Sequence, residues 1–319
     1  MSNLQTMQLP KHVSICEVAP RDGFQSESEW IPTDKKIEII QRLATTGVKT
    51  MEVTSFVHPK AIPQLKDAEE VVEKTIDLPN IKFRALVPNL KGAERAINSG
   101  IKKLKLMLSA TDSHSLSNAN CTVQEAQDKL SPIIEFASSR DVEVGGSISV
   151  AFGCPYEGKV SHKNIETIMR RYNEMGVKEV SLADTTGMGN PVQVFEMIGQ
   201  LKEKFPNTTF SMHFHNTRGM AMANVYAALM QGVTHFDSSI AGLGGCPYAP
   251  GASGNIPTED LVHGLAEMGV ETGIDLSKTI TAAKEVKKML GHDGGSFILK
   301  AGPNSELHVK PSGQSKIDN

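Results

Sequence analysis

Cysteine is scarce in this chain. Cys16, Cys121, Cys154 and Cys246 lie far apart in 319 residues, with no C-x-x-C pair among them. That excludes a disulfide-stapled scaffold and an all-thiolate zinc site, and it points to a reduced, cytoplasmic protein. An excess of positive charge is also missing. Lys and Arg total 33 against 36 Asp and Glu, a net charge of −3, so nothing matches a nucleic-acid backbone. No stretch approaches the roughly 20 apolar residues of a membrane span. The polar segment Met1–His12 lacks the apolar core of a secretory leader. Neither a nucleic-acid nor a membrane partner is expected. The G-x-x-x-x-G-K-[ST] phosphate loop is absent as well. With 39% hydrophobic and 22% charged residues the chain has the proportions of a soluble enzyme, and its length allows two ordinary domains or one large barrel.

Short β-branched or apolar runs alternate with segments of helical period, which is the sequence form of repeated βα units. Eight such runs occur: Ser14–Ala19, Thr50–Phe56, Lys82–Val87, Lys103–Ser109, Glu143–Ala151, Glu179–Ala183, Thr209–His215 and His235–Ala241. Eight units predict a closed (β/α)8 TIM barrel in the α/β class. Between them, Asp34–Thr46 carries an apolar face, Thr33 is placed to cap it and Gly47 to stop it. Thr122 and Glu125 form a capping-box pattern. Ile165, Ile168, Met169, Tyr172 and Met175 form a stripe read as core facing the barrel. A helix from Thr258 and a last one over Leu276–Leu290 follow, and the tail Gly302–Asn319 is polar and poor in apolar period. The whole chain, 1–319, is read as a single catalytic domain, with the barrel over about 14–270 and a C-terminal helical extension and tail over about 271–319.

The strongest local signal is Met212-His213-Phe214-His215. Alternate residues of a strand share a face, so the two imidazoles address one space at the end of the seventh run, where barrels place their active sites. The first run ends in Glu17-Val18-Ala19-Pro20-Arg21-Asp22-Gly23, with a cation beside a carboxylate. Glu52 is a charge inside an apolar strand and needs a partner if buried, and Arg21 is the obvious one. The glycine-dense stretch from Ala241 to Asn255 predicts a loop whose backbone can approach a ligand closely, with Cys246 in it as a plausible acid or base. Gly153-Cys154-Pro155-Tyr156 echoes the phrase around Cys246. Asp184, at the end of the sixth run, is a candidate for proton transfer or positioning, and equally for capping its own loop.

These residues together resemble the 3-hydroxy-3-methylglutaryl-CoA lyase family of TIM-barrel metallolyases. The resemblance rests on Glu17–Glu27, Met51–Phe56, His213–His215 and above all Gly242–Asn255 followed by Thr258-Glu259-Asp260, and it runs from about Ser14 to Leu290. It implies metal ligands at Asp22, His213, His215 and Asn255, a catalytic cation at Arg21, a supporting carboxylate at Glu52 and a catalytic thiol at Cys246. It also implies an acyl-CoA substrate and a homodimer or larger homo-oligomer. Two imidazoles, a carboxylate and an amide oxygen suit a divalent metal, Mg²⁺ or Mn²⁺, that chelates an oxygen-rich substrate. Phe24, Ser26 and Asn216 depart from the family's usual Leu, Asn and Asp, and together with Arg218 they bear on which acyl group is accepted.

The implied reaction is cleavage of the hydroxymethylglutaryl thioester to acetyl-CoA and acetoacetate. His213 or Asp22 would accept the hydroxyl proton, Arg21 would stabilise the enolate oxygen, and Cys246 would protonate the enolate. The alternatives are the same cleavage on another branched 3-hydroxy-acyl-CoA, a Claisen-type synthase using a 2-oxo acid, and a non-catalytic acyl-CoA-binding protein.

Overall fold

The computed structural model describes residues 9–245, 254–291 and 294–307. Its strands are β1 Ser14–Glu17, β2 Thr50–Ser55, β3 Lys82–Leu86, β4 Lys103–Lys105, β5 Leu108–Ser109, β6 Glu143–Ser149, β7 Glu179–Asp184, β8 Thr209–Phe214 and β9 His235–Ser238. All pairings are parallel, in the order β4-β3-β2-β1-β9-β8-β7-β6-β5, and β4 also pairs with β6. That last pairing closes the sheet into a barrel, with β4 and β5 as two halves of the fourth strand. Seven of the eight expected runs contain their strand, and the sixth is passed by one residue, since β7 reaches Asp184. The ladder ends earlier than expected at the first, fifth and eighth runs, because the chain there turns into the loops that carry the site.

The helices follow from local chemistry. The capping box at Thr122 and Glu125 forms. The last long helix spans Leu276–Leu290. Thr33 departs from expectation: the helix Thr33–Ala44 has Pro32 at its N-cap, and the Thr33 hydroxyl donates instead to Asp67 Oδ2 at 2.8 Å. The helix starts one residue earlier than expected, so Thr33 is its first residue rather than its cap. The stripe on helix His162–Glu174 is core, with Ile165, Ile168, Met169 and Tyr172 buried. Among the described residues, no helix is long and apolar enough to cross a membrane.

The apolar core lies between the strands and the helices. Met51, Phe83, Ala85, Leu104, Ile148, Val180, Leu182, Phe210, Met212, Phe214 and Phe236 are buried there. Strand alternation sends the intervening residues into the barrel, and these are polar: Cys16, Glu52, Arg84, Lys105, Ser147, Ser181, Ser211, His213 and Asp237. Register places Glu52 beside Arg84 across β2 and β3, and His213 beside Asp237 across β8 and β9. A bulge between Glu52 and Thr54 re-aims the end of β2 toward the mouth.

Gly146 shows how closely the outer layer is fitted. A Cβ there would lie 2.8–3.0 Å from the Tyr172 ring, whose hydroxyl donates to the Ser147 carbonyl at 3.1 Å. Gly146→Ala is therefore expected to destabilise the protein by roughly 1–3 kcal/mol through overpacking, read from the urea midpoint.

Candidate active site

At the C-terminal mouth of the barrel, β1 runs into a single π-helical turn, Ala19–Gly23, that carries Arg21 and Asp22. His213 is the penultimate residue of β8, and His215 follows the strand. Asn255 is tied to His215 by an isolated bridge at the far end of the glycine-rich loop. Four of the expected ligands thus meet from three parts of the chain. The Nε2 atoms of His213 and His215 are 3.1 Å apart, and they lie 3.8 and 3.6 Å from Asp22 Oδ2. Ligand atoms of Asp22, His213 and His215 all fall within 4.8 Å of one another, as a metal site requires. Asn255 donates Nδ2 to Asp22 Oδ2 at 2.6 Å and to the Leu243 carbonyl at 2.9 Å, while its buried Oδ1 has no hydrogen-bond partner among the described residues. A buried acceptor without a donor is costly unless something electropositive satisfies it. The donor set and this orphaned oxygen fit a divalent cation.

The glycine loop makes room for the cluster. Gly244 has φ +102°, and a Cβ on it would stand 2.4 Å from Asn255 Nδ2 and 3.0 Å from Asp22 Oδ2. Ser26 clamps the same region, its hydroxyl lying 3.0 Å from the Asp22 and Gly245 carbonyls. Cys246 lies outside the described residues, as does the tail beyond Leu307.

Beneath the cluster the charges are paired and buried. Arg21 bonds Glu52 through Nε and Asp22 through a terminal nitrogen. Glu52 also accepts from Arg84 Nε at 2.6 Å, and Arg84 donates to Asp237 Oδ2 at 2.9 Å. Asp237 Oδ2 in turn lies 3.4 Å from His213 Nδ1. Burial pushes the Asp22 carboxyl up, but the Arg21 charge, a hydrogen bond from His215 and the charges of both imidazoles hold it well below the usual carboxylate range. Burial likewise opposes ionisation of Glu52, and Arg21 and Arg84 reverse it. Burial lowers the pKa of His215 despite its hydrogen bond to Asp22.

Sequence reasoning missed Arg84, Lys105 and Asp237. The signal that singled out Glu52, a charge inside an apolar strand run, was equally present at all three. It also missed Glu17, which accepts from Ala19 N, Ile240 N and Thr258 Oγ1 at 2.9, 3.0 and 2.7 Å and so staples the Arg21 turn to the loop after β9.

Asp184 sits close by but with both oxygens engaged. The backbone N–H of Gly189 reaches both oxygens at 3.0 Å, and that of Met188 reaches one at 2.9 Å, as a loop cap would. Burial nonetheless raises its pKa to about 6 against those bonds. The departures from the family pattern have structural partners. Phe24 is fully buried core, Asn216 Oδ1 accepts from Ala221 N, and Arg218 holds the Thr186 and Gly187 carbonyls. Cys154 is buried and receives the Thr111 hydroxyl at 3.1 Å, which makes its echo of the Cys246 phrase a matter of packing.

The HMGL-like family model matches residues 12–286. A mitochondrial hydroxymethylglutaryl-CoA lyase of Arabidopsis thaliana is 43% identical over 93% of the chain, which spans 63% of that protein's length. A Pseudomonas aeruginosa protein named 3-hydroxy-3-isohexenylglutaryl-CoA/hydroxy-methylglutaryl-CoA lyase is 39% identical over 92% of the chain and 98% of its own length. A solved HMG-CoA lyase of Acinetobacter baumannii, in complex with coenzyme A and 3-methylmalate, superposes with a TM-score of 0.90 at 42% identity. That match covers 98% of this chain and all of the other.

Glu259 supplies a pH test of how the site is supported. It accepts from Ala241 N at 3.1 Å, and burial raises its pKa to about 8. The folded state therefore holds this proton while the unfolded chain releases it near 4.5. Its contribution to stability is present below about pH 4.5 and is lost as pH rises toward 8. Glu259→Gln, measured by urea unfolding, should gain stability relative to the parent steadily between pH 5 and 8.

Proposed function

The chain belongs to the HMGL-like family, and on that premise we propose that it is a carbon–carbon lyase cleaving 3-hydroxy-3-methylglutaryl-CoA to acetyl-CoA and acetoacetate. The observation that carries this reading is the cluster of Asp22, His213 and His215 beside the partly buried Arg21 at the barrel mouth. Asn255 completes the proposed ligand set. A divalent ion held there, Mg²⁺ or Mn²⁺, would supply a Lewis acid that favours ionisation of the substrate's tertiary alcohol.

The chain's own groups then divide the work. The hydroxyl proton leaves to Asp22 or His213. As the carbon–oxygen double bond of acetoacetate forms, the bond between C2 and C3 breaks and its electron pair passes to the thioester as an enolate. Arg21, fixed by Glu52 and Asp22, offers its remaining N–H groups to the oxygen that gains charge. Cys246 would return a proton to the enolate carbon. Asp184 is assigned to positioning of the Asp184–Gly189 turn, on the strength of its backbone bonds.

One catalytic domain over the whole chain is part of the proposal. It is supported by site residues drawn from the first, second, seventh and eighth units, and by the last helix, which buries Thr279, Ala282, Ala283 and Val286. The acyl-CoA partner, the homo-oligomer and the cytoplasmic location are carried forward as proposals too. The free Cys16, Cys121 and Cys154 support the last of these. A longer branch at C3 is the second reading, favoured by the name of the Pseudomonas relative.

Incubation with the hydroxymethylglutaryl thioester should yield acetyl-CoA and acetoacetate in equal amounts with Mg²⁺ or Mn²⁺ and neither product with chelator. A panel of longer 3-branched thioesters, ranked by kcat/KM, decides between the two readings. His215→Ala should lose bound metal by elemental analysis, and full occupancy would remove its ligand role. Cys246→Ala should lower kcat about 10²–10⁴-fold with metal content intact, as expected for loss of a general acid, and undiminished turnover would remove the thiol from the reaction.

A further inference from the structure

The buried charges under the site form a ring. Asp22 pairs with Arg21, Arg21 with Glu52, Glu52 with Arg84, Arg84 with Asp237, and Asp237 faces His213, whose other nitrogen returns to Asp22. Five of the six members are accounted for by the ligand cluster, by pairing along the ring or by the proposed chemistry. Asp237 is the exception, a carboxylate 4% exposed on the barrel wall that touches neither the substrate mouth nor any proposed ligand atom.

Its position relative to His213 is specific. Asp237 Oδ2 is 3.4 Å from Nδ1, on the opposite side of the ring from Nε2, which faces Asp22 and His215. The register of β8 and β9 sets the two residues side by side, and Arg84 fixes the carboxylate from beneath with a 2.9 Å bond. Among the described residues His215 has no such support, since its buried Nδ1 finds no hydrogen-bond partner there. A neutral imidazole carries one proton, and a carboxylate at one nitrogen draws it there and frees the other nitrogen as a lone pair.

We propose that Asp237, clamped by Arg84, is the positioning residue that fixes His213 with its proton on Nδ1 and its Nε2 lone pair facing the ligand cluster. The consequence for metal affinity rests on the proposed ligand role of His213, but the tautomer itself does not. Arg84 then has two tasks, because the same guanidinium orients Glu52 under Arg21 and Asp237 under His213. A displacement on one side of the mouth is transmitted to the other through a single rigid group.

The test is long-range ¹H–¹⁵N NMR of metal-free protein labelled at histidine, with His213 assigned by its loss in His213→Gln. Wild-type His213 should show the proton on Nδ1. In Asp237→Val, which removes the acceptor, the population should move toward the Nε2–H form, and Mn²⁺ affinity by calorimetry should fall about 10–100-fold. A wild-type proton on Nε2 overturns the proposal, and so does an Asp237→Val protein with unchanged tautomer and unchanged Mn²⁺ affinity. The wild-type spectrum decides the matter even if the variant does not fold. If the wild type binds no Mn²⁺ while its tautomer is as stated, the metal reading fails and the assignment of Asp237 stands.

Discussion

A carboxylate with no access to water stays ionised only if cations and donors replace its hydration, and Glu52 sits in the barrel under that constraint. It meets it with two guanidinium groups, Arg21 above and Arg84 beside it. Everything at the mouth depends on this arrangement. Arg21 is held over Asp22, Arg84 is held against Asp237, and Asp237 faces His213. Such a network contributes little net stability, because its Coulomb energy mainly offsets the cost of taking the charges out of water. Removal of one member, however, costs roughly 3–5 kcal/mol, since the remaining charges are left buried and unbalanced. What the network supplies is fixed geometry for groups that would otherwise be flexible.

The barrel gathers those groups in a polar interior. Its apolar material is on the outside, between strands and helices, and its interior is a ladder of charged and hydroxyl side chains. At the N-terminal face a cavity of about 630 Å³ is lined by Cys16, Arg84, Ser211 and Asp237, so the ring is close to solvent from beneath without opening into the mouth. At the mouth, Gly244 permits Asn255 and Asp22 to touch where any side chain would intervene.

Alternation of apolar runs made the eight strands legible, because it reflects the pleat and the packing of each strand under its helix. Strand ends were less legible. They depend on where the backbone leaves the ladder, and at Ala19–Gly23 that is a π-turn serving the site rather than a turn signalled by residue type. His213 and His215 were readable as a pair from two-residue spacing. Asn255 and Glu52 needed the family resemblance to receive roles. Arg84 and Asp237 each looked like a single charge at a strand position, and their meaning lies in the register between neighbours, which no linear spacing contains. Thr33 looked like a cap, but the helix begins at Thr33 itself after Pro32, and its hydroxyl donates to Asp67 of the next unit.

The central claim is that this buried charge network holds Asp22, His213, His215 and Asn255 as one preformed cation site. Anomalous diffraction from crystals soaked in Mn²⁺ tests it most directly. The account predicts one strong peak bonded to Asp22, to the Nε2 atoms of both histidines and to Asn255 Oδ1, with the Arg84 contacts to Glu52 and Asp237 intact. A peak elsewhere, such as between Glu143 and Glu179 at the barrel floor, or no peak at the mouth, would contradict it.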